Sequence, residues 1–267
     1  MRNGCASDTT AKGTAALVDG RVSIITPCYN GERFIAETIL SVMIQTYAHW
    51  EMFVVDDGST DRTAEIAEFY AAKDDRIHVL HQKNAGTASA RNRGLREATG
   101  RFIALLDADD VWDVEFLDRQ LSFMAEKKAE VVCCSYRHID ERSNEIQHPT
   151  RAMARITPAD MRVMNRIGCL TGLYDASRHG IVYLHEELKS IRDDYAYWYE
   201  IVCKAGVAYG NPDVLASYRV QTGSTTGNKL ALVAKQYHFY RQFLHLGLPT
   251  AVVNTLRWGI SGLGKFS

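Results

Sequence analysis

The feature that most constrains the fold is a run of five apolar residues, 102–106, that ends abruptly in acidic side chains. Five apolar residues in succession predict a strand that is buried on both faces, as in a parallel sheet. Open α/β sheets place their ligands at the carboxyl ends of such strands. The carboxylates that follow, Asp107, Asp109 and Asp110, therefore lie where a ligand site is expected.

The spacing of Asp107 and Asp109 would let both carboxylates bind one metal ion. Residues two apart in an extended segment point their side chains in the same direction. Carboxylate oxygens suit Mg²⁺ and Mn²⁺, which take their remaining ligands from water and substrate phosphates. A polar turn that caps a helix starting near Asp113 explains the same spacing equally well.

The chain before this point alternates between apolar runs and helical periodicity. Residues 22–26 and 52–55 predict buried strands, and the apolar spacing between them predicts a helix. Such a βαβ unit should have a right-handed crossover. A third strand is predicted over residues 77–80, followed by a helix that ends near Gly100. The expected fold class is α/β, with a mostly parallel central sheet flanked by helices.

Two connecting segments carry further candidate ligand-binding side chains. Residues 59–61 can cap the helix after the second strand, which leaves Asp57 as the candidate ligand-binding carboxylate. After the third strand, the small residues of 84–94 allow close approach of a ligand or of another backbone. Arg91 is the better candidate for a phosphate contact, whereas Arg93 is expected to be solvated.

Composition bears on the kind of partner and on the compartment. The 31 Lys+Arg nearly balance the 32 Asp+Glu, so nothing indicates a nucleic-acid partner. The six cysteines form no C-x-x-C pair and follow no secretory leader, which predicts reduced thiols in a cytoplasmic protein. The first twenty residues are rich in small and polar types and are expected to be a mobile tail. No stretch reaches the roughly 18 apolar residues that a transmembrane helix needs.

A second acidic pair, Asp193 and Asp194, precedes a predicted helix. Tyr195, Trp198 and other apolar residues recur at helical spacing, and Gly206 closes the pattern. The pair therefore lies at a helix N-terminus, where partial positive charge favours carboxylates. One of the two can cap the helix while the other faces a cleft.

The segment between these acidic pairs is predicted to contain further strands and a helix. Residues 131–136 predict a strand and residues 138–145 a polar turn with a solvated His138. Thr157 is expected to cap a helix, and residues 167–174 predict a buried strand. Which molecule this region recognises depends on loop shapes that local propensity does not fix.

Four motifs together resemble the nucleotide-sugar-binding half of family 2 glycosyltransferases. One such motif is a weak signal, but four in this order across residues 22–110 are specific. They are Val-Ser-Ile-Ile-Thr-Pro-Cys-Tyr-Asn at 22–30, Val-Val-Asp-Asp-Gly-Ser-Thr-Asp at 54–61, Asn-x-Gly-x-x-x-Ala-Arg-Asn at 84–92 and Leu-Asp-Ala-Asp-Asp at 106–110. The overall pattern, over residues 21–245, is similar to bacterial glycosyltransferases of cell-surface polysaccharide synthesis.

The resemblance implies the Rossmann-like glycosyltransferase A fold, an inverting mechanism and a UDP-linked donor. The domain would span residues 21–227, with a nucleotide-sugar half, 21–112, and an acceptor and catalytic half, 113–227. By position, the residues that would contact the nucleotide sugar are Pro27, Tyr29, Asn30, Glu32, Asp57, Gly86, Arg91, Asp107 and Ala108.

The resemblance also implies the chemistry. Asp109, together with Asp107, would bind Mn²⁺ or Mg²⁺. Asp194 would be the general base for a hydroxyl of a glycan or lipid-linked acceptor, and Asp193 would orient it. The Gln-x-x-Arg-Trp signature of processive synthases is absent, because residues 254–258 lack the Gln, so a single addition is expected.

The last segments leave alternatives open. A Gly-Ser turn follows Arg219, and Arg219, Ser224 or Lys229 could reach the diphosphate if this turn closes, although a solvent loop is an equal alternative. Two helices are expected in a C-terminal extension, residues 228–267. Its last part is apolar with two basic charges, so it could lie peripherally on a membrane, pack on the core or bind a second subunit.

Two other classes of protein fit parts of this pattern. A sugar-1-phosphate nucleotidylyltransferase would share the Rossmann-like half and the metal, but it needs a basic, Gly-rich loop where this chain has residues 27–32. A non-catalytic nucleotide-sugar-binding module would tolerate loss of the base. The donor sugar, the acceptor and the linkage are set by loops around residues 137–190.

Overall fold

The computed structural model describes residues 17–188, 192–221 and 229–263 of the chain. Ten strands occur in these residues, and all belong to one sheet. The strands are β1 (Val18–Cys28), β2 (Trp50–Asp56), β3 (Ile77–His81), β4 (Gly100–Leu105), β5 (Val111–Trp112), β6 (Val131–Ile139), β7 (Glu145–Thr150), β8 (Arg155–Ile156), β9 (Leu173–Asp175) and β10 (Ala208–Arg219). The helices are α1 (Ile35–Met43), α2 (Thr63–Ala71), α3 (Thr87–Glu97), α4 (Phe116–Lys127), α5 (Pro158–Val163), α6 (Ala176–His179), α7 (Asp193–Ala205), α8 (Lys229–His238) and α9 (Leu248–Leu263). A π-helical turn, Phe239–Phe243, follows α8.

The sheet is mostly parallel. Its strand order is β3-β2-β1-β4-β9-β6-β10-β5, with β7 paired to β6 and β8 paired to β10. Parallel pairing joins β1 to β2 and β4, β2 to β3, and β6 to β10. Because β9 is antiparallel to both β4 and β6, these six strands all run in one direction. The predicted α/β fold class is confirmed.

Apolar side chains pack on both faces of the sheet. In β1, Ile24 belongs to a cluster with residues of α1, α2 and α4, whereas Ile25 belongs to a second cluster with residues of α3 and α7. Both side chains are fully buried. Burial on both faces explains why the central strands read as unbroken apolar runs in the sequence.

The carboxyl ends of β1, β2 and β4 meet at one edge of the sheet. Cys28 at the end of β1 is in register with Asp56 at the end of β2, and the Leu106 amide donates to the Ile25 carbonyl over 3.0 Å. The segments that follow the three strands therefore emerge side by side. This register brings the separate sequence motifs together.

The C-terminal helices pack on the same core. Phe239, Tyr240 and Ala251 are buried in the cluster that contains Ile25. The opposite face of α9 leaves apolar side chains exposed: Leu248, Val252, Val253 and Leu256. None of the helices in the described ranges has both the length and the apolar character that crossing a bilayer requires.

Several predicted boundaries are wrong. β1 begins at Val18, inside the segment expected to be a tail, and the helix expected near Asp113 begins at Phe116 after the short strand β5. The strand predicted over 167–174 is a 3₁₀ turn, Cys169–Thr171, followed by β9. A Cβ on Gly172 would lie 2.3 Å from the Trp198 ring, so the backbone passes too close to this indole for an ordinary strand residue.

His138 is not a solvated turn residue. β6 continues to Ile139 and pairs with β7, which buries the His138 side chain. Its Nε2 lies 2.9 Å from the Thr150 hydroxyl. The predicted cap of α5 is confirmed, because Thr157 and Asp160 form a capping box.

Candidate active site

A cavity of about 620 Å³, the first cavity, opens at the carboxyl ends of β1, β2 and β4. Its volume falls in the range of roughly 300–1,000 Å³ that is typical of small-molecule sites. Glu32 and Gly86 lie outside its lining. The residues predicted for the site that do line it are Pro27, Tyr29, Asn30, Asp57, Arg91, Asp107, Ala108, Asp109, Asp193 and Asp194.

Asp57 fixes the loop that precedes α3. Its carboxylate accepts hydrogen bonds of 2.8 Å from the Gln82 side chain and from the backbone amides of Ala85 and Gly86. Gly86 has φ +92°, a backbone conformation that favours glycine. A carboxylate offers roughly four acceptor positions, so Asp57 retains one for a ligand.

The loops after β1 and β2 are tied together by short polar side chains. The backbone N–H of Asn30 donates to the Ser59 hydroxyl, and the side-chain Oδ1 of Asn30 accepts from the Thr60 backbone amide over 2.8 Å. The Glu32 carboxylate accepts from the Arg62 amide over 3.0 Å. Ser59 and Thr60 thus hold Asn30 rather than cap α2, and the nucleotide contact expected of Glu32 stays a prediction.

The two carboxylates predicted to bind a metal lie close to each other in the first cavity. Burial and the charge of Asp107 raise the pKa of Asp109. The Gln221 side-chain amide donates to Asp109 Oδ2 over 2.7 Å and compensates only part of this charge.

A divalent cation suits this pair. The described residues contain no group of three or more His, Cys, Asp or Glu able to hold a metal by themselves. Mg²⁺ and Mn²⁺ commonly bind one or two carboxylates and take the rest of their ligands from phosphates and water. The donor set, two carboxylates beside an open cavity, therefore fits such an ion.

Arg91 connects the two acidic parts of the site. Its Nη2 donates to Asp107 Oδ1 over 2.6 Å and its Nη1 to Asp193 Oδ2 over 3.3 Å. Burial opposes the charged form, yet Asp107 and Asp193 hold the pKa of Arg91 well above its ordinary value. The guanidinium is therefore a fixed cation between β4 and α7. Arg93, as predicted, is solvent-accessible and pairs with Glu97 on the same helix.

The adjacent carboxylates Asp193 and Asp194 differ in their surroundings. Asp193 is buried and paired with Arg91. Asp194 accepts a long hydrogen bond of 3.4 Å from the Asn165 side chain. Burial and the charge of Asp193 raise the pKa of Asp194, and Arg91 and Arg192 oppose this shift. Asp194 is therefore the carboxylate of the pair that is available to accept a proton.

A second cavity, of about 1,390 Å³, lies on the other side of Asp194. It is bounded by β7, by the loop that precedes α7 and by residues 164–170. Asp107, Cys169 and Asp194 line both cavities. Asp194 therefore lies at the boundary of both cavities.

Some residues of the site escape the sequence motifs. Gln221, Cys169 and Asn165 contact Asp109, Arg91 and Asp194, respectively. Cys169 lies in the 3₁₀ turn and Asn165 and Gln221 lie in loops, and only the tertiary structure identifies their contacts with the acidic side chains and Arg91.

The diphosphate contact suggested for Arg219 is wrong. Its side chain is fully buried and donates to Glu37 Oε2 over 2.6 Å and to the Asp109 carbonyl over 2.8 Å. Arg219 therefore holds the turn that carries Asp109 instead of facing the cavity. Ser224 and the Lys229 side chain lie outside the described residues.

Comparisons with known proteins agree with this geometry. The family description "Glycosyl transferase family 2" matches residues 23–195. Bacillus subtilis TuaG, named for teichuronic acid biosynthesis, is 36% identical over 228 residues, which cover 84% of this chain and 89% of TuaG. Escherichia coli WfgD, named a UDP-Glc:alpha-D-GlcNAc-diphosphoundecaprenol beta-1,3-glucosyltransferase, is 35% identical over 232 residues, which cover 85% and 87% of the two chains.

The fold has a solved counterpart. The crystal structure of Staphylococcus aureus TarS 1–349 superposes with a TM-score of 0.64 at 25% identity, covering 74% of this chain and 60% of that fragment. A mostly parallel sheet with acidic pairs at the ends of β4 and α7 thus defines a glycosyltransferase of the A fold. The chain belongs to glycosyl transferase family 2.

Proposed function

We propose that this protein transfers a sugar, with inversion, from a UDP-linked donor to a hydroxyl of a glycan or lipid-linked acceptor in cell-surface polysaccharide synthesis. The donor would occupy the first cavity and the acceptor the second. The observation that carries this assignment is the position of Asp194, which lines both cavities. The names of TuaG and WfgD support the pathway, and the name of WfgD supports the donor class.

The first cavity needs a cation to accept a diphosphate. Its lining contains five carboxylates and two arginines, one of which, Arg91, is already paired with two of these carboxylates. An anionic diphosphate would be repelled by Asp107 and Asp109 alone. Mn²⁺ or Mg²⁺ held by these two side chains would supply charge neutralisation for the diphosphate when bound.

The chain's own groups account for acceptor activation. Inverting transfer needs one base, aimed at the acceptor hydroxyl on the face of the sugar opposite the leaving diphosphate. Asp194, between the two cavities, would take this proton. Asp193 is held by Arg91 and would keep the N-terminus of α7 in place. No covalent enzyme intermediate is required, and with the processive signature absent we propose a single addition per binding event.

A panel of sugar nucleotides tests the proposed function. We expect release of UDP from one UDP-sugar when Mn²⁺ or Mg²⁺ and an acceptor extract are present, and loss of release when EDTA removes the metal. Asp109→Asn should reduce release strongly, because it removes one of the two anionic ligands. Asp75→Asn, a change outside both cavities, is the matched control. Release of pyrophosphate, or release that persists in EDTA, would contradict the proposal.

The exposed face of α9 offers a route to a lipid-linked acceptor. Val253 is 46% and Leu256 61% exposed, and Arg257 beside them is exposed and cationic. An apolar helix face flanked by a basic residue is typical of peripheral binding to anionic lipid. We propose that this face contacts the membrane surface while the opposite face packs on the core.

Vesicle partitioning tests this contact in the full-length chain. Val253→Glu combined with Leu256→Glu should weaken binding to phosphatidylglycerol-containing vesicles at least tenfold, because two apolar side chains lose their burial in lipid. The control is Leu40→Glu with Ile44→Glu. Leu40 lies on α1 and is 43% exposed, and Ile44 directly follows α1 and is 59% exposed. Equal partitioning of both double variants, or none by the wild type, would rule out the membrane contact.

A further inference from the structure

Two arginines in the second cavity have no role in the chemistry described above. Arg166 and Arg192 both line this cavity. Within the parts of the chain that the structure describes, neither forms an ion pair, whereas Arg91, Arg137 and Arg219 are all paired with carboxylates. Two guanidinium groups that form no ion pair and line the same cleft suit an anionic ligand.

Arg166 and Arg192 line the same cavity as Asp194. Burial raises the pKa of the Tyr195 hydroxyl, and both Arg166 and Arg192 oppose this shift. The same two arginines oppose the shift that burial causes at Tyr240. Both charges therefore act on the same pair of phenols, and Tyr195 directly follows Asp194 in the chain.

Arg192 is held in an unusual backbone conformation. Its φ of 59° and ψ of 34° are left-handed, a region in which glycine or asparagine is less strained than arginine. Its guanidinium carbon lies 5.0 Å from the centre of the Trp258 ring, which orients the side chain. Strain of this kind is found where a side chain must occupy a particular place for function.

No carboxylate of the second cavity forms an ion pair with either arginine in the described residues, although the charge of Arg192 acts on Asp194 and opposes the rise of its pKa. Asp107 is bound by Arg91, Glu145 lies 3.3 Å from Arg137, and Asp110 accepts from the Arg219 amide. The two arginines thus keep hydrogen-bond donors for a ligand. Arg151 also lines the cavity, and its Nη1 donates to the Pro212 carbonyl.

We propose that Arg166 and Arg192 bind a phosphate or diphosphate group of the acceptor while its reacting hydroxyl lies at Asp194. This assignment rests on the proposed function and narrows the acceptor to an anionic, phosphorylated class. Two guanidinium groups offer about ten N–H donors, whereas one carboxylate accepts at roughly four positions. A diphosphate therefore satisfies the pair better than a uronic acid carboxylate does.

Binding of geranyl diphosphate tests the assignment in the full-length protein, with UDP and Mg²⁺ saturating the first cavity. We expect Arg166→Gln and Arg192→Asn each to weaken its binding about tenfold or more, because each removes one charged hydrogen-bonding group. Asparagine tolerates the left-handed backbone at 192, so this variant should keep the fold. Arg155→Gln, an exposed arginine outside the cavity, is the matched control and should bind as the wild type does.

Further ligands separate the outcomes. Geraniol, the same lipid without phosphate, should bind far more weakly than the diphosphate. Equal binding of geraniol, or equal affinity of all the variants, would overturn the anion site. If glucuronate bound as tightly as geranyl diphosphate and its binding also depended on the arginines, the site would recognise a carboxylate and the phosphate assignment would be wrong. A separate assay with UDP-sugars reports on the proposed function. If UDP binds in the first cavity but no sugar is transferred, the proposed function fails and this binding test remains valid.

Discussion

Replacing Asp194 by asparagine should lower kcat by about 100- to 10,000-fold, the usual contribution of a general base, and leave donor affinity near the wild-type value. The amide keeps the shape of the carboxylate but does not accept the acceptor proton. The measurement is UDP release under saturating donor and acceptor, together with the dissociation constant of the UDP-sugar. Asp118→Asn, an exposed carboxylate on α4, is the control.

The pH dependence separates this role from a structural one. Burial and Asp193 raise the pKa of Asp194, so wild-type kcat/KM should fall as the pH drops through a value above that of an ordinary aspartate. The base acts in its deprotonated form, so activity lies on the alkaline side of this pKa. Arg192→Asn removes a cation that opposes the shift and should move the acidic limb to higher pH. An acidic limb that persists unchanged in Asp194→Asn would assign the titration to another group.

The half of the fold around the first cavity is predictable from sequence because its signals are local. The apolar run before Asp107 is buried on both faces, and its register with β1 follows from the parallel sheet. Asp57 and Asp109 lie two and three residues past the ends of their predicted strands. Parallel strands end at the same edge, so adjacency of the acidic motifs follows from strand assignment alone.

The second half was harder to predict because its structure depends on distant contacts. The run at 167–174 is apolar enough for a strand, but in the structure it forms a 3₁₀ turn, and Gly172 after this turn packs closely on Trp198. The sequence around His138 is typical of a turn, but in the structure His138 belongs to β6, which pairs with β7. Both errors come from tertiary packing that overrides local propensity.

Which arginines pair with which carboxylates could likewise not be predicted from the sequence. Arg91 and Arg219 both lie in motif regions, and either would be a reasonable phosphate ligand on local grounds. In the folded chain Arg219 donates hydrogen bonds to the Asp109 carbonyl and to Glu37, which lies 182 residues earlier in the sequence. Only the structure shows that Arg166 and Arg192, which both line the second cavity, form no ion pair with a carboxylate in the described parts of the chain.

Replacing Arg91 by methionine should destabilise the fold by about 3 kcal/mol, near the lower end of the cost of breaking a buried ion pair. Asp193 is buried and would lose its cation, whereas Asp107 faces the cavity and can be rehydrated. For a chain of this size we expect the midpoint of thermal unfolding to fall by about 6–12 °C. Arg93→Met, two residues away on the same helix, removes a half-exposed pair with Glu97 and should cost at most about 1 kcal/mol.

Activity should fall more than stability explains, because Arg91 joins the end of β4, the proposed metal site, to the start of α7, which carries the proposed base. Without this cation, Asp193 and Asp107 would repel each other and Asp194 would lose its fixed position relative to the donor. Arg91→Lys should recover part of the stability but little of kcat, because a single ammonium cannot bond both carboxylates with the same geometry. Measured at a temperature where every variant is folded, equal kcat values for Arg91→Lys and Arg93→Met would show that Arg91 stabilises the fold without positioning the base.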